Sequence, residues 1–505
     1  MSRVVLDRAL TWRQVAAVAR QEAALELSPA ARARVIAAND IVRAIVDRDI
    51  RAYGVNTGVG ALSEVVVPKD RQSALSHNIL MSHAVGVGAP LGVEETRSIM
   101  VAAVNNFAHG YSGLRLIVVE RLVHLLNAGC MPEVPCKGSV GYITHMAHIG
   151  LVLIGHGYAV LDGERLPAAD ALARLDLAPL VLEAKEGLCL VNGTPCATGL
   201  ASLALARAQG QMDWADAIAA MVFETQRCQR AAIDSPALSL RVSPGIAEVV
   251  ATLKVYLAES GILSAAVPRT QDALSLRSIP QVHGAVRDSW AQIGAIVDQE
   301  LESVTDNPIV TGSPEVPGVF SQAHAVGAAM GLAMDQLAIA LGELGTISER
   351  RIDRMVNPLV NGLPPFLAGE SGVTSGFMIA QYTAASLVAE NRRLAAPASL
   401  DGGITSGLQE DMLCHATPAA LKVLDILDNI QSILAIEYLS ACQSYDLLDG
   451  KGVRAAGTSA LYQALRGEIP IYTDDRPLAQ DIAKAARLIA SRPPPRPATP
   501  AAPGS

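Results

Sequence analysis

Residues 416–443, ATPAALKVLDILDNIQSILAIEYLSACQ, constrain the fold more than any other stretch, because Leu421, Leu424, Leu427, Ile430, Ile433 and Leu434 recur at three- and four-residue spacing. That spacing lines one face of a helix, and a buried stripe kept over so many turns needs partner helices along its length. The chain is therefore expected to be mainly α, with a bundle of long helices at its centre. A second run, from Ala325 to Gly345, is rich in small residues and apolar almost all round. It suits a central helix covered by neighbouring helices or by other subunits. Hydrophobic residues make up 50% of the sequence and aromatic residues only 4%, so the core must be built of Ala, Leu, Val and Ile.

Roughly the first 200 residues read differently. Short helical segments alternate there with Gly-rich loops, among them YGVNTGVGAL, AVGVGAPLG, GSVGYITH and LVNGTPCATG. Glycine lets a loop adopt backbone conformations other residues avoid and lets the chain approach a ligand closely, so a site built from turns is expected here. The expected organisation is a loop-rich region over 1–200, the long-helix bundle with C-terminal helices over 201–490, and a Pro- and Ala-rich tail over 491–505 that should be disordered.

Charge and cysteine usage narrow the function classes. The net charge is −9, and no cluster of Lys and Arg supplies a footprint for phosphates, so a small-molecule partner is expected and nucleic acid is not. The 7 cysteines form neither a CxxC pair nor a regular disulfide framework, which points to thiols in a reducing compartment. The N-terminus lacks an apolar segment of signal-peptide length, and the apolar runs are broken by Asp, His or Gly. A cytoplasmic protein with no membrane partner is expected. No metal site is expected either: His145 and His148 form an HxxH pair on one helical face, with no third ligand evident.

The motifs YGVNTGVG (53–60), NILMSHAVGVG (78–88), GSVG (138–141), EGLCLVNGT (186–194), QDALSLRSIPQVHG (271–284), SVTDNP (303–308), SERRIDRMVNP (348–358), SGFMIAQYTAASLVAEN (375–391) and QED (409–411) occur in one order. In that order they resemble the aromatic amino acid ammonia-lyases, the bacterial histidine ammonia-lyase branch above all, over about residues 40–450. The resemblance implies the mainly helical fold of the fumarase/histidine ammonia-lyase-like superfamily. It also implies a homotetramer whose active sites are shared between subunits.

The resemblance fails at one place. Where the family carries an Ala-Ser-Gly triplet that cyclises and dehydrates to methylidene-imidazolone, this chain has Tyr142, Ile143 and Thr144. The ring needs a hydroxyl that leaves as water from the middle residue and an unhindered amide nitrogen from the third. Ile143 has no leaving group, and β-branching at Ile143 and Thr144 is expected to resist the compressed backbone that closure requires. No such cofactor is expected to form. His145 stands where the family usually has Asp, Leu274 where it has Tyr, and Glu302 where an Asn often precedes the SxTDNP motif.

By resemblance, Tyr53 is the loop tyrosine that removes the β-proton. A phenol is a weak base near neutrality, so this role needs hydrogen bonds or cationic neighbours. Arg277 matches the arginine that grips a substrate carboxylate, a task suited to a bidentate guanidinium. Asn192 and Gln271 match polar orienting residues, Phe320 an aromatic pocket wall, and Ser82 with His83 the position that reads the substrate side chain. Glu410 either joins His83 in favouring a nitrogen-bearing group or transfers a second proton. Tyr142 or His145 either donates a hydrogen bond to a carbonyl in place of the electrophile or fills vacated space.

Without that electrophile the leading expectation is a cofactor-independent enzyme that applies Tyr53 to a preactivated, conjugated substrate by elimination, cyclisation or isomerisation. Two alternatives stand beside it: a noncatalytic binding or scaffolding homologue, and an ordinary histidine or aromatic amino acid ammonia-lyase.

Overall fold

The 416–443 stretch lies within a 31-residue helix, Ala416–Asp446. Leu424, Leu427, Ile430, Ile433 and Leu434 are all buried on it, while Leu421 is half-buried. Among the described residues helices dominate, and the strands form small sheets of two or three. The computed structural model describes residues 2–266, 269–370, 372–448 and 452–496. Of the tail expected to be disordered over 491–505, Ser491 ends the helix Leu478–Ser491 and the Arg492 carbonyl accepts from Trp214 Nε1 at 2.8 Å, while 497–505 lie outside the described residues. Two compact units are present: Met1–Ala206 with Ile293–Asp335 and Pro397–Leu421, and Arg207–Gln292 with Gln336–Ala396 and Lys422–Ser505.

In the first unit, three helices set the geometry that matters: Gln72–His83, Thr144–Leu153 and Glu186–Val191 pack on one another. Glycine permits the approach. A Cβ on Gly187 would stand 2.2 Å from the Ser76 carbonyl oxygen, and one on Gly150 would stand 2.7 Å from Leu80 Cδ2. Strands Val87–Pro90 and Pro135–Lys137 pair antiparallel, tying the loop after His83 to the loop before Tyr142. A core of Ala38, Ile41, Val42, Ile45, Ala52, Val55 and Val310 sits beneath the 53–60 loop. Helix Pro29–Asp47, which supplies much of that core, starts with Ser28 as its N-cap and Pro at its first turn.

The second unit is built on buried ion pairs as well as apolar packing. Arg351 and Glu437 are both fully buried and joined by hydrogen bonds, and Asp216 accepts from His283 Nδ1 at 2.6 Å and from Arg287 at 2.6 and 3.0 Å. Buried charges persist only where partners satisfy them in this way.

One expectation about apolar runs needs correction. The segment Glu186–Thr225 contains a window long and apolar enough to cross a membrane by length and composition, and that window is 100% buried inside the protein. Its apolar character is that of a core helix: a Cβ on Gly199 would stand 2.4 Å from the Ser98 carbonyl oxygen.

Candidate active site

The ends of the three packed helices converge on one cavity of about 1290 Å³ in the first unit. His83 closes the first helix, Tyr142 and Ile143 lead into the second, and Val191 and Asn192 follow from the third; all of them line the cavity. The 53–60 loop supplies Tyr53, and the 405–412 segment supplies Glu410.

Local hydrogen bonds fix each of these side chains. Asn56 accepts from the Ala52 amide at 2.8 Å and donates to the Ile50 carbonyl at 2.9 Å, which folds the loop carrying Tyr53. The Gly60 amide then donates to Tyr53 Oη at 3.2 Å, which orients the phenol oxygen on the cavity wall. Glu410 is held by reciprocal backbone bonds with Thr405 at 2.8 and 3.3 Å. Asn192 donates to the Asn307 carbonyl and accepts from the Gly193 amide, so its amide group is already engaged. Ser82 Oγ lies 2.9 Å from His83 Nδ1.

Tyr142 is 7% exposed and donates from its phenol to Glu410 Oε2 at 2.5 Å. Burial pushes the Tyr142 phenol well above the usual tyrosine range, and the bond to Glu410 pushes the same way, so it remains a protonated donor. Burial lowers His83, His145 and His148 below the ordinary imidazole range, which favours their neutral forms.

The backbone at 142–144 differs from expectation. Ile143 has φ 77° and ψ −73°, the classic γ-turn, and the Thr144 amide folds back to donate to the Tyr142 carbonyl at 3.1 Å. Such a conformation is an outlier for a β-branched residue. It is held from several sides. Ser139 Oγ accepts from the Gly141 amide and donates to the Tyr142 carbonyl, both at 3.1 Å, and Thr144 Oγ1 donates to the Gly138 carbonyl at 3.2 Å. From the 415–417 side, Thr417 Oγ1 donates to the Gly141 carbonyl at 2.8 Å and the His415 amide donates to the Val140 carbonyl at 2.9 Å. Over-determination of this kind holds a strained turn in place. The expectation that β-branching would prevent the compressed backbone is therefore corrected: tertiary hydrogen bonds outweigh the local preference. The chemistry remains unsuited to methylidene-imidazolone, because Ile143 offers no hydroxyl to leave. The residues present do not fit that group.

Other expected site residues lie elsewhere. His145 is buried below the cavity wall with Nε2 3.3 Å from the Cys136 carbonyl oxygen, and its Nδ1 has no partner among the described residues. His148 Nε2 accepts from the Gly86 amide at 3.0 Å. Phe320 lies on the strand Pro317–Phe320, is 52% exposed, and does not line the cavity, although its neighbours Ser321 and Gln322 do. Gln271 and Arg277 belong to the second unit, where Gln271 is exposed and Arg277 Nε has no partner among the described residues. Sequence reasoning gave no role to Asn307, which lines the cavity and whose Oδ1 accepts from the Gln322 amide at 2.8 Å. Its place in SVTDNP was the available signal.

Comparison with known proteins decides the family. The pattern of the aromatic amino acid lyases matches residues 10–467. The chain belongs to the aromatic amino acid lyase family. It is 41% identical over 488 residues to a histidine ammonia-lyase of Deinococcus radiodurans, covering 95% of this chain and 92% of that protein. Among solved structures, the tyrosine aminomutase of Streptomyces globisporus aligns with a TM-score of 0.92 at 34% identity, covering 97% of both chains. The histidine ammonia-lyase of Trypanosoma cruzi aligns with a TM-score of 0.89 at 34% identity, covering 97% of this chain and 93% of that one. These findings bear out the mainly helical fold and the lyase class. They overturn the leading expectation of a cyclase- or isomerase-like enzyme for a preactivated, conjugated substrate: full-length relatives carry the name histidine ammonia-lyase, which favours the ammonia-lyase alternative.

Proposed function

We propose that this protein is an ammonia-lyase acting on histidine or on an amino acid with an aromatic side chain. The observation that carries the reading is identity of about 41% to a histidine ammonia-lyase along nearly the whole of both chains. Tyr53, His83, Asn192 and Glu410, gathered on one cavity, support it.

In this reading Tyr53 acts in its ionised form: its Oη takes the proton from the substrate's Cβ, the released electron pair becomes the Cα–Cβ double bond, and the Cα–N bond breaks with the ammonium nitrogen leaving as ammonia. The product is an α,β-unsaturated acid. His83, neutral through burial, faces the substrate side chain and can donate to or accept from an imidazole nitrogen. Glu410 presents its second carboxylate oxygen to a nitrogen-bearing group, since the first is taken by Tyr142. Arg277 and Gln271 are assigned to the substrate carboxylate and its surroundings by resemblance, with assembly into a homotetramer as the arrangement that brings copies of the chain together. Arg277 Nε, without a partner among the described residues, is where a ligand or a second copy would complete the hydrogen bonding.

Incubating the purified protein separately with histidine, tyrosine and phenylalanine tests the reading. Release of ammonia together with the matching unsaturated acid from at least one of them is the expected result. No release from any of the three by folded protein overturns it.

A further inference from the structure

The 142–144 turn combines two facts that pull apart. Its backbone has the folded-back shape in which the amide nitrogen of the third residue faces the carbonyl of the first, the geometry that closing a five-membered ring between them demands. Its side chains cannot finish the reaction. Closing the ring forms a bond between the third nitrogen and the first carbonyl carbon; that carbonyl oxygen leaves as water with the hydrogens of the second and third amide nitrogens, and the carbon becomes double-bonded to the second nitrogen. A second water must then leave from the hydroxyl of the middle side chain, with the Cα proton, to make the exocyclic alkene. Ile143 carries no oxygen, so the second step has no leaving group.

We infer that residues 142–144 are a dormant self-modification site: the fold holds the ring-closing turn, the turn stays an open peptide because of its side chains, and the Tyr142 phenol anchored on Glu410 occupies the cavity wall there. Three observations carry this. The γ-turn at Ile143 persists despite β-branching, so it is imposed from outside the triplet. The Ser139 bonds to the Tyr142 carbonyl and the Gly141 amide, and the Thr417 bond to the Gly141 carbonyl, use no side chain of the triplet; the Thr144 Oγ1 bond to the Gly138 carbonyl is the one that does. The Tyr142 side chain turns to Glu410 and lines the cavity, so the wall offers a hydrogen-bonding phenol. The ammonia-lyase reading supplies only the identity of the ring; the turn and its blocked chemistry stand without it.

Peptide mass spectrometry tests this without any substrate. The tryptic peptide 138–165 of the wild-type protein is expected at its encoded mass, and loss of either one or two waters from it overturns the inference. Replacing the triplet, Tyr142→Ala with Ile143→Ser and Thr144→Gly, is expected to lighten the same peptide by two waters. A second variant, Ile143→Ser with Thr144→Gly, keeps Tyr142 on Glu410 and is expected to lose two waters as well. If both variants fold, by circular dichroism and thermal melting, yet keep their encoded masses, the turn is not ring-ready and the inference falls; if only one of them folds, its mass decides alone. Ammonia release is measured separately. An intact wild-type peptide in a protein that releases no ammonia refutes the proposed function alone, whereas a dehydrated wild-type peptide in an active protein refutes this inference alone.

Discussion

Tyr142 and Glu410, 268 positions apart in sequence, are joined by a 2.5 Å hydrogen bond from the phenol to the carboxylate, on the wall of the cavity that also holds Tyr53. The pair links the loop before the Thr144–Leu153 helix to the 405–412 segment, so each side chain orients the other. A hydrogen bond to a charged group contributes about 1.5–3 kcal/mol. Tyr142→Phe, which keeps the ring and removes the donor, is therefore expected to lower kcat/KM for the true substrate by roughly 10- to 100-fold. Glu410→Gln should add little on top of it. Effects of the two substitutions that multiply independently in steady-state kinetics would break the proposed coupling.

Tyr53 carries the largest expected effect. Proton transfer by a positioned side chain typically contributes about 10²- to 10⁴-fold. Tyr53→Phe should reduce kcat by about that range, because the Gly60 amide bond that orients the phenol oxygen serves no purpose once the oxygen is gone. Unchanged turnover in a folded Tyr53→Phe protein would remove the residue from the reaction.

Several histidines make stability fall in mild acid. His83, His109, His145, His148 and His283 are all held below the ordinary imidazole range, each chiefly by burial. For a group lowered on folding, the unfolded chain binds more protons below its own pKa of about 6.5, so the folded state loses ground there. The histidine contribution is complete above that pH and declines as pH drops through 6.5 toward the lowered folded values. Thermal melts between pH 7.5 and 5 should show a falling Tm, and His145→Asn should flatten the fall. A Tm flat over this range would contradict the burial argument.

Lys185 and Asp306 are a structural pair whose removal should be costly. Both side chains are fully buried with Nζ and Oδ2 3.6 Å apart, and Lys185 Nζ also donates to the Ser112 carbonyl at 2.6 Å. Removing one partner of a buried pair strands the other charge and costs about 3–5 kcal/mol. Lys185→Met should lower the unfolding free energy by about that much in urea titrations. A change under 1 kcal/mol would mean that Asp306 is satisfied without the lysine.

How much of this was legible in advance depends on the range of the interaction. The stripe on 416–443 announced a buried helix because helical periodicity is written in neighbouring residues. The motifs placed Tyr53, His83, Asn192 and Glu410 in a single site, and the cavity gathers all four. Phe320 was read as a pocket wall, yet its side chain is half-exposed on a hairpin while the next residues reach the cavity. Strand direction decides such a question, and the alternation there is too short to reveal it. Asn307 stands in the SVTDNP motif, but that motif does not show its contact with the Gln322 amide, which the fold supplies.

The chain's covalent chemistry was fixed by sequence alone: a helix-rich composition, an ordered set of lyase motifs, and a middle residue at 143 with no hydroxyl to lose. Tertiary structure alone decided that Ile143 takes a conformation its own side chain disfavours, and that Tyr142 meets Glu410. The physical reason is one of reach. Residue identity sets bonding capacity and local periodicity, whereas the turn is set by hydrogen bonds from Ser139 and from Thr417, which lies 276 positions from its acceptor Gly141. Close packing at Gly150 and Gly187 brings the helix ends that carry His83, Ile143 and Asn192 together on one cavity.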